Sequence, residues 1–313
     1  IQISRCTPQC RMKQADKSVL YFETGPTNPV TLSVAPGEEF EVETQINAGP
    51  WIDESADPAA ERARLRGANP ASGCIEIEGA AAGQVLAIHI DDIRLSTMGF
   101  THFGGANGAM PSWFGATGVG EHWKIVAIEG GRIEWEPGLS LQARPMIGFV
   151  GVAPPFESFS NARVGYWGGN FDVQEITTGA TVYLPVYVPG ARLHVGDMHA
   201  IQGDGEICGA GGIETEGVVR LRCELYDAFP GMLGPWIEDD THLICVGCAR
   251  PAEDAFRLAV ESLVVRLETV YGYTRGDAYL LLGQVLEARA TQFVNPVVTY
   301  VAKVAKRFIR SDR

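Results

Sequence analysis

The densest run of side chains that could carry out chemistry lies between residues 196 and 214 of this 313-residue chain. Within it, Asp197 and His199 are two residues apart, so on a β-strand both side chains point to the same face of the sheet. A carboxylate and an imidazole on one face can reach a single cation, and mixed oxygen and nitrogen ligation suits zinc or a similar divalent metal. The spacing therefore predicts a metal site.

Three further polar residues, Gln202, Asp204 and Glu206, follow at alternate positions and could supply more oxygen ligands or a general base. The glycines between them permit backbone conformations that aim amides or carbonyls at a ligand. A Gly-Asp-Gly sequence is also common in surface turns, where the aspartate caps its own backbone, so Asp204 alone fits a turn. Asp197 and His199 differ, because a buried acid and histidine need each other, a metal or a ligand.

Other chemical motifs do not fit this segment. Residues 203–212 are rich in glycine but lack the Lys-Ser or Lys-Thr ending of a phosphate-binding loop. The acids do not follow the spacing of a calcium-binding EF-hand, and no Gly-x-Ser-x-Gly sequence supports a serine nucleophile.

The elements that must position these residues are mostly β-strands. With 37 glycines and 18 prolines, most of the chain breaks into short runs rich in β-branched residues between turn formers. Residues 40–44, 85–93 and 181–188 are good examples. Residues 123–135 are typical of a hairpin, because Gly130 and Gly131 suit a turn with two positive φ angles.

Two segments near the C-terminus favour helices instead. After Pro251, apolar residues recur at spacings of three and four until Gly272, which indicates an amphipathic helix. A second helix begins near Thr274, which forms a capping box with Asp277. The predicted fold is a β-dominated α+β fold with packed, sandwich-like sheets and two C-terminal amphipathic helices.

Domain boundaries are weakly marked. We divide the chain into an N-terminal β-rich region, residues 1–120, and a second β-rich region, residues 121–313, that carries the candidate metal site and the helices; the two could also form one compact unit. The glycine-rich residues 101–120 are a candidate for a mobile loop over the site or for a seam between the halves. The Asn295-Pro296 pair precedes a predicted last strand through Val304.

Charge and hydrophobicity exclude two classes of partner. The formal net charge of −13 disfavours nucleic acid, and the basic tail from residue 303 has no interleaved aromatic residues that could stack on bases. No stretch approaches 18 uninterrupted apolar residues, so we predict no membrane span, and the first 17 residues lack the apolar region of a signal peptide.

Seven scattered cysteines are an odd number, which favours reduced thiols and a cytoplasmic protein. Cys245 and Cys248 form a C-x-x-C pair that could be half of a zinc site, although the other close pair, Cys6 and Cys10, is far away in sequence. Residues 241–247 favour an apolar strand in which such cysteines pack as small hydrophobic side chains.

Residues 196–206, with Glu214 closing the segment, resemble the signature of the acetamidase/formamidase family. Residues 148–154 resemble its Gly-x-x-Gly-x-Ala-Pro stretch, and residues 168–172 resemble its Gly-Gly-Asn-x-Asp. Leu184-Pro185-Val186, residues 277–282 and Glu43-Thr44 also fit, so the resemblance covers most of the chain.

The resemblance implies a β-rich hydrolase that releases ammonia from short amides such as formamide, generally with a divalent metal. Carried onto this sequence, it makes Asp197, His199 and Glu214 the metal ligands and places Asn170 and Asp172 in the same cleft. The metal would activate water and polarise the amide carbonyl, while a carboxylate passes the proton to the departing amine. Asn170 would stabilise the oxyanion.

The remaining roles stay open on sequence grounds. Glu206 and Asp204 are candidates for a base, ligands of a second metal or turn residues. Zinc is the expected metal, with calcium as the candidate for a second ion. Asn47, Trp51 and Gln202 are candidates for contacts with a small amide substrate. His102, and similarly His122, are either extra ligands or ordinary core or surface histidines.

One departure from the family motivates an alternative. The family usually has an acid shortly after the Glu-Thr pair, where this chain has Asn47. The alternative is therefore a non-catalytic protein that uses the same cleft to bind a small ligand or metal. A third hypothesis is a structural calcium loop in the Gly-Asp-rich segment. For either class a homo-oligomer, by default a symmetric dimer, is expected.

Overall fold

A computed structural model of the chain describes residues 12–53, 56–104, 108–232 and 234–310. Cys6 and Cys10 lie outside these residues. The strands are β1 (Lys13–Ala15), β2 (Leu20–Tyr21), β3 (Glu23–Thr24), β4 (Leu32–Val34), β5 (Glu39–Thr44), β6 (Ala71–Ile77), β7 (Val85–Phe103), β8 (His122–Glu129), β9 (Arg132–Glu136), β10 (Leu139–Gln142), β11 (Met146–Gly151), β12 (Phe159–Ser160), β13 (Val164–Gly165), β14 (Gly168–Asn170), β15 (Thr181–Pro185), β16 (Leu193–Ile201), β17 (Ala210–Tyr226), β18 (Trp236–Glu238), β19 (His242–Ala249), β20 (Glu287–Gln292) and β21 (Val298–Ala305).

The helices are α1 (Pro58–Arg62), α2 (Pro111–Thr117), α3 (Ala252–Tyr271) and α4 (Arg275–Val285), and a 3₁₀ turn spans Lys306–Phe308. The predicted β-dominated fold is therefore confirmed. None of these described helices is both long and apolar enough to cross a membrane.

Nineteen of the described strands belong to one curled sheet, and β3 and β12 form a separate pair. The long strands β7 and β17 are its backbone and pair antiparallel along most of their length. β16 pairs with β11 on one side, and on the other side with β6 and then with β17. Because β16 carries the Asp-x-His sequence, this arrangement places it in the middle of the sheet rather than at an edge.

Local turn chemistry explains the hairpin predicted near residue 130. β8 and β9 pair antiparallel with Glu129 opposite Arg132. Gly130 and Gly131 have φ angles of +56° and +75°, which a residue with a Cβ adopts only at a cost.

The two predicted C-terminal helices are also present. The Thr274 hydroxyl accepts a hydrogen bond from the Asp277 amide as the N-cap of α4, and Gly272 ends α3 in the left-handed region. α3 packs closely on β19, where a Cβ on Gly247 would lie 2.1 Å from the Ala255 carbonyl oxygen. The helices thus cover one face of the sheet.

The fold differs from expectation in two places. The glycine-rich stretch contains the short helix α2, whose ring contacts include Phe114 with Phe103. The short helix α1 had no sequence signal of its own. Ile52 and Ala56, which precede it, pack with Phe100 in a small hydrophobic cluster.

The cysteines behave as small hydrophobic side chains. The described ones, Cys74, Cys208, Cys223, Cys245 and Cys248, are free thiols. Cys245 and Cys248 lie on β19, and burial raises the pKa of the Cys245 thiol to about 11, so it stays neutral in the sheet.

Candidate metal centre

Five buried titratable residues meet in the sheet, and we call them the acid–histidine cluster: Asp172, Asp197, His199, Glu206 and Glu214. Ligand-type atoms of Asp172, Asp197 and His199 lie within 4.8 Å of one another. His199 Nε2 is 3.7 Å from Asp197 Oδ1 and 3.4 Å from Glu214 Oε2. Ligands of a single tetrahedral zinc ion are separated by about 3.5 Å, given bonds of about 2.0–2.2 Å, so the spacing fits one small cation.

Neighbouring strands position the cluster. Asp197 and His199 lie on β16, His199 is directly opposite Glu214 of β17, and Asp172 follows the end of β14. Glu206 lies in the connection between β16 and β17. Asp172, Asp197 and Glu206 have φ angles of +50°, +55° and +45°, a conformation that costs a non-glycine residue free energy and is concentrated at functional sites.

Glycines make the room that the cluster needs. A Cβ on Gly148 of β11 would lie 2.7 Å from both Asp172 Oδ1 and Asp197 Oδ2. A Cβ on Gly211 would lie 1.9 Å from Glu206 Cγ. Gly148 is the first residue of the stretch that resembles a family motif. The structure gives a physical reason for glycine at this position, because the absence of a side chain lets two carboxylates approach the strand.

Gln202 determines the tautomer of His199. Its side-chain amide donates to the carbonyl oxygens of Asp172 and Thr291 at 2.9 and 3.0 Å. Its oxygen therefore faces His199 Nδ1, at 2.9 Å, and accepts a hydrogen bond from it. When the imidazole is neutral, this leaves the His199 Nε2 lone pair directed at the cluster, as metal-ligating histidines require.

Side-chain amides also hold Asp172. Asn170 and Asn295 donate to its Oδ2 at 3.0 and 2.9 Å, and Asn170 donates its second N–H to Asn295 Oδ1 at 3.3 Å. Both N–H groups of Asn170 are thus engaged, which differs from the predicted role in stabilising an oxyanion. The Asn170 atom that remains without a hydrogen bond within the described residues is Oδ1, an acceptor.

A second pair of asparagines contacts the carboxylates of Glu214 and Asp197. Asn47 donates to Glu214 Oε1 at 3.2 Å and to Asn69 Oδ1 at 2.9 Å. Asn69 in turn donates to Asp197 Oδ2 at 3.5 Å, a long contact. The place where the sequence departs from the family pattern is therefore occupied by an amide that orients a carboxylate.

Four residues of the cluster are candidate metal ligands, namely Asp172, Asp197, His199 and Glu214. In each of them a side-chain amide contacts one polar atom and leaves the other without a hydrogen bond. The free atoms, which are buried and have no hydrogen-bond partner within the described ranges, are Asp172 Oδ1, Asp197 Oδ1, His199 Nε2 and Glu214 Oε2. Buried polar atoms are almost always satisfied. Because Asp172, Asp197 and His199 bring ligand atoms within 4.8 Å of one another and Glu214 Oε2 lies 3.4 Å from His199 Nε2, these atoms indicate a site that a cation would complete.

The cluster strongly perturbs its own protonation. Burial, and then the charge of Asp197, raises the pKa of Asp172 well above its usual range. Burial and then Asp172 do the same to the pKa of Glu206. Burial opposes ionisation of His199, but Glu214 and Asp197 outweigh it and raise the histidine pKa well above 6.5. Such shifts are typical of functional sites.

A cleft of about 300 Å³ reaches the cluster from one side. Gln202 and Glu206 line it together with apolar side chains such as Trp135 and Leu141. This volume lies at the lower end of the range for small-molecule sites, so a small substrate could approach Glu206 through it.

Four residues that the sequence offered for the site lie outside the acid–histidine cluster. The Asp204 side chain is 67% exposed and pairs with Arg289 at 2.9 Å, because the turn at Gly205 directs Glu206 inward and Asp204 outward. His102 is buried on β7 but is not in the group of ligand atoms that meet within 4.8 Å. Trp51 lines a separate cavity of about 740 Å³ and stacks under Arg64. His122 is exposed.

The prediction missed three contributors. Asn69 and Asn295 contact the cluster from loops that are distant in sequence. Burial raises the pKa values of Asp197 and Glu214, and the charge of half-buried Arg62, at the end of α1, acts in the opposite direction on both; the pKa of Glu214 stays raised. Both asparagines precede a proline. This sequence indicates a turn, but it does not show which residues the turn packs against.

Fold and site together define a β-rich protein with a buried carboxylate–histidine centre built on adjacent strands. The model of the Acetamidase/Formamidase family matches residues 163–232. The acetamidase of Mycolicibacterium smegmatis is 31% identical over 137 residues, 37% of this chain and 34% of that protein. The formamidase of Methylophilus methylotrophus is 47% identical over 58 residues, 18% of this chain and 14% of that protein. The aligned parts are thus about a third or less of these relatives' lengths.

The solved structures extend the comparison over the whole fold. The crystal structure of the acetamidase from Bacillus halodurans matches with a TM-score of 0.86 and 30% identity, over 94% of this chain and 98% of that one. The chain belongs to the acetamidase/formamidase family.

Proposed function

We propose that this protein hydrolyses the C–N bond of a small linear amide, such as formamide or acetamide, and releases ammonia and a carboxylate. The observation that carries the proposal is the meeting of ligand atoms of Asp172, Asp197 and His199, with Glu214 next to His199, beside a small cleft. The names of the relatives, acetamidase and formamidase, support the same reaction class.

We assign the cation to Asp172, Asp197 and His199, with Glu214 beside them as a fourth ligand or a base. One imidazole nitrogen with carboxylate oxygens is a donor set that zinc accepts, so zinc is our first candidate. The Asp172–Glu206 side of the cluster offers only oxygen atoms, so a second ion there would be calcium. When bound, the cation would polarise the amide carbonyl and lower the pKa of a nearby water.

The protein's own residues would handle the protons. Glu206 lines the cleft, and burial and then Asp172 raise its pKa, which makes it our candidate for the group that takes a proton from water and returns it to the departing nitrogen. Gln202 keeps His199 in the tautomer that presents Nε2. Asn170, with its N–H groups engaged, offers only Oδ1 as an acceptor for a substrate N–H group.

The test is an ammonia-release assay with formamide and acetamide, with and without a chelator. We expect turnover that the chelator abolishes and that zinc restores. His199→Ala should lower the rate at least about 100-fold, because loss of even a supporting residue costs a metal site 10- to 100-fold. His242→Ala is the matched control, since His242 pairs with Glu287 away from the cluster.

Two results would contradict the proposal. Activity that survives complete metal removal would exclude the cation's role. Thermal stabilisation by an amide without turnover at any metal loading would favour the alternative, a non-catalytic binding protein.

We also propose a cytoplasmic homodimer. Free thiols at all described cysteines support a reducing compartment, and a symmetric dimer is the commonest assembly for soluble proteins. Sedimentation of the purified protein tests the second point.

A further inference from the structure

The loop between β20 and β21 brings Asn295 to the acid–histidine cluster from 123 residues away in sequence. Asn295 is 9% exposed. Its amide group donates to Asp172 Oδ2 at 2.9 Å and to the Asn170 carbonyl oxygen at 3.1 Å, while its oxygen accepts from Asn170 at 3.3 Å. All of its hydrogen-bonding groups are directed at the strand end that carries Asp172.

The loop itself is held in place by side chains. Arg250 donates to the carbonyl oxygens of Phe293, Asn295 and Pro296 at 2.8–3.0 Å. Gln292 accepts from the Asn295 backbone amide at 2.9 Å and donates to the Val297 carbonyl at 2.8 Å. Asn295 is therefore fixed before any ligand binds, as a group that must orient a carboxylate should be.

The same hairpin supports the opposite side of the cluster. The Gly205 amide donates to the Ala290 carbonyl at 3.1 Å, and the Phe293 amide donates to the Gly205 carbonyl at 3.0 Å. The Thr291 carbonyl accepts from Gln202, which holds His199. The residues from Ala290 to Asn295 thus contact the supports of Asp172, His199 and Glu206 together.

We propose that Asn295 is a positioning residue of the metal centre: by occupying Asp172 Oδ2, it turns Oδ1 toward the cation. Asn170 cannot replace it, because the Asn170 amide is itself oriented by Asn295. A neutral amide suits this task, since it fixes the carboxylate without cancelling the negative charge that the cation needs. The inference rests on the proposed function, because it concerns a proposed ligand.

The test compares zinc affinity in Asn295→Asp and wild type by competition with a chromogenic chelator. The substitution keeps the size of the side chain but puts an acceptor against Asp172 Oδ2. We expect zinc affinity to fall about 10- to 100-fold, the usual effect of losing such a support. The visible spectrum of the cobalt(II)-substituted protein should also shift, because the geometry of Asp172 changes. Asn28→Asp is the matched control, since Asn28 bonds Glu23 and His194 instead.

A second variant covers the case in which Asn295→Asp does not fold. Arg250→Ala removes the bonds that hold the loop from the exposed side, and we expect a smaller loss of zinc affinity in the same direction. Arg257→Ala, an exposed arginine on α3 paired with Asp254, is its control.

The outcomes separate the two proposals. Unchanged zinc affinity and an unchanged cobalt spectrum in the folded variants would overturn the role of Asn295 while wild type still binds zinc. A wild-type protein that neither binds zinc nor hydrolyses an amide would overturn the proposed function, and the present inference with it.

Discussion

Asp172 and Glu175 are three residues apart in sequence, and their carboxylates have opposite surroundings. Asp172 is held by the neutral amides of Asn170 and Asn295 and faces other carboxylates. Glu175 receives hydrogen bonds from Arg289 and lies 3.3 Å from Lys303. Burial raises the pKa of Glu175, but the contacts from Arg289 and Lys303 outweigh it and lower that pKa below its usual range.

The contrast separates a carboxylate whose charge is balanced within the protein, Glu175, from one whose charge a bound cation would balance, Asp172. At Glu175 the chain supplies the compensating cations itself, so the carboxylate is satisfied. At Asp172 the chain supplies orientation but too little positive charge: His199 acts to lower the Asp172 pKa, but burial and Asp197 outweigh it, and one carboxylate oxygen stays without a hydrogen bond. A buried charge without a partner is costly, and the fold bears that cost where a cation can relieve it.

The largest expected effect concerns the unbalanced acid. Asp172→Asn removes a charge that repels Asp197, so we expect the metal-free protein to gain about 1 kcal/mol of stability. Ammonia release should fall at least about 100-fold, and zinc should no longer raise the melting temperature. In wild type, zinc at 100 times its dissociation constant adds about 2.7 kcal/mol.

Calorimetry with and without zinc measures both stability effects. Asp204→Asn is the matched control, because that acid is exposed and outside the cluster, and it should leave zinc binding unchanged. An Asp172→Asn protein that still gained stability from zinc would remove Asp172 from the ligand set.

The sequence predicted the parts of this design that depend on local chemistry. Glycine turns and the Thr274 cap act between near neighbours, so the strands and helices were predictable. Asp197 and His199 do lie close together, although Asp197 has a φ angle of +55° instead of the extended conformation on which the alternation was based. The Gly203–Glu206 turn marks the limit. An alternating pattern put Asp204 and Glu206 on one side, but positive φ angles at Gly205 and Glu206 break the alternation, and Arg289 pairs with Asp204.

Long-range support could not be predicted in the same way. Asn47, Asn69 and Asn295 reach the cluster through loops whose ends are fixed by the sheet topology. An asparagine in a turn usually bonds its own backbone, so its residue type does not reveal that it faces a carboxylate. The pairings of β5 with β17 and of β6 with β16, together with the β20–β21 hairpin, bring these amides to the acids.

A smaller effect is expected at the balanced acid. Glu175→Gln leaves Arg289 and Lys303 without their shared carboxylate, so we expect the free energy of unfolding to fall by about 1–3 kcal/mol. Zinc affinity should remain close to that of wild type, because Glu175 does not contact a proposed ligand. Urea unfolding and zinc titration of the same sample measure the two quantities. A variant that lost zinc but kept its stability would reverse the distinction drawn between the two acids.

The smallest effect, and the sharpest comparison, is in the pH dependence of metal-free stability. The pKa of Glu175 is lower in the folded protein than its ordinary value of 4.5, so its contribution is fully present above pH 4.5 and is lost as pH falls through the folded pKa. The pKa of Asp172 is higher in the folded protein than its ordinary value of 3.8. Ionising it therefore destabilises the metal-free protein as pH rises above 3.8 toward the folded pKa.

The two substitutions should thus give differences from wild type of opposite sign. Between pH 3 and pH 6, the stability deficit of Glu175→Gln should grow with pH, and so should the stability gain of Asp172→Asn. Urea unfolding of the three proteins in chelator across this range measures both differences. The signed difference in stability from wild type should therefore become more negative with pH for Glu175→Gln and more positive for Asp172→Asn. If both differences became more negative, folding would favour the ionised form of Asp172, and the cluster would already carry its compensating charge without a cation.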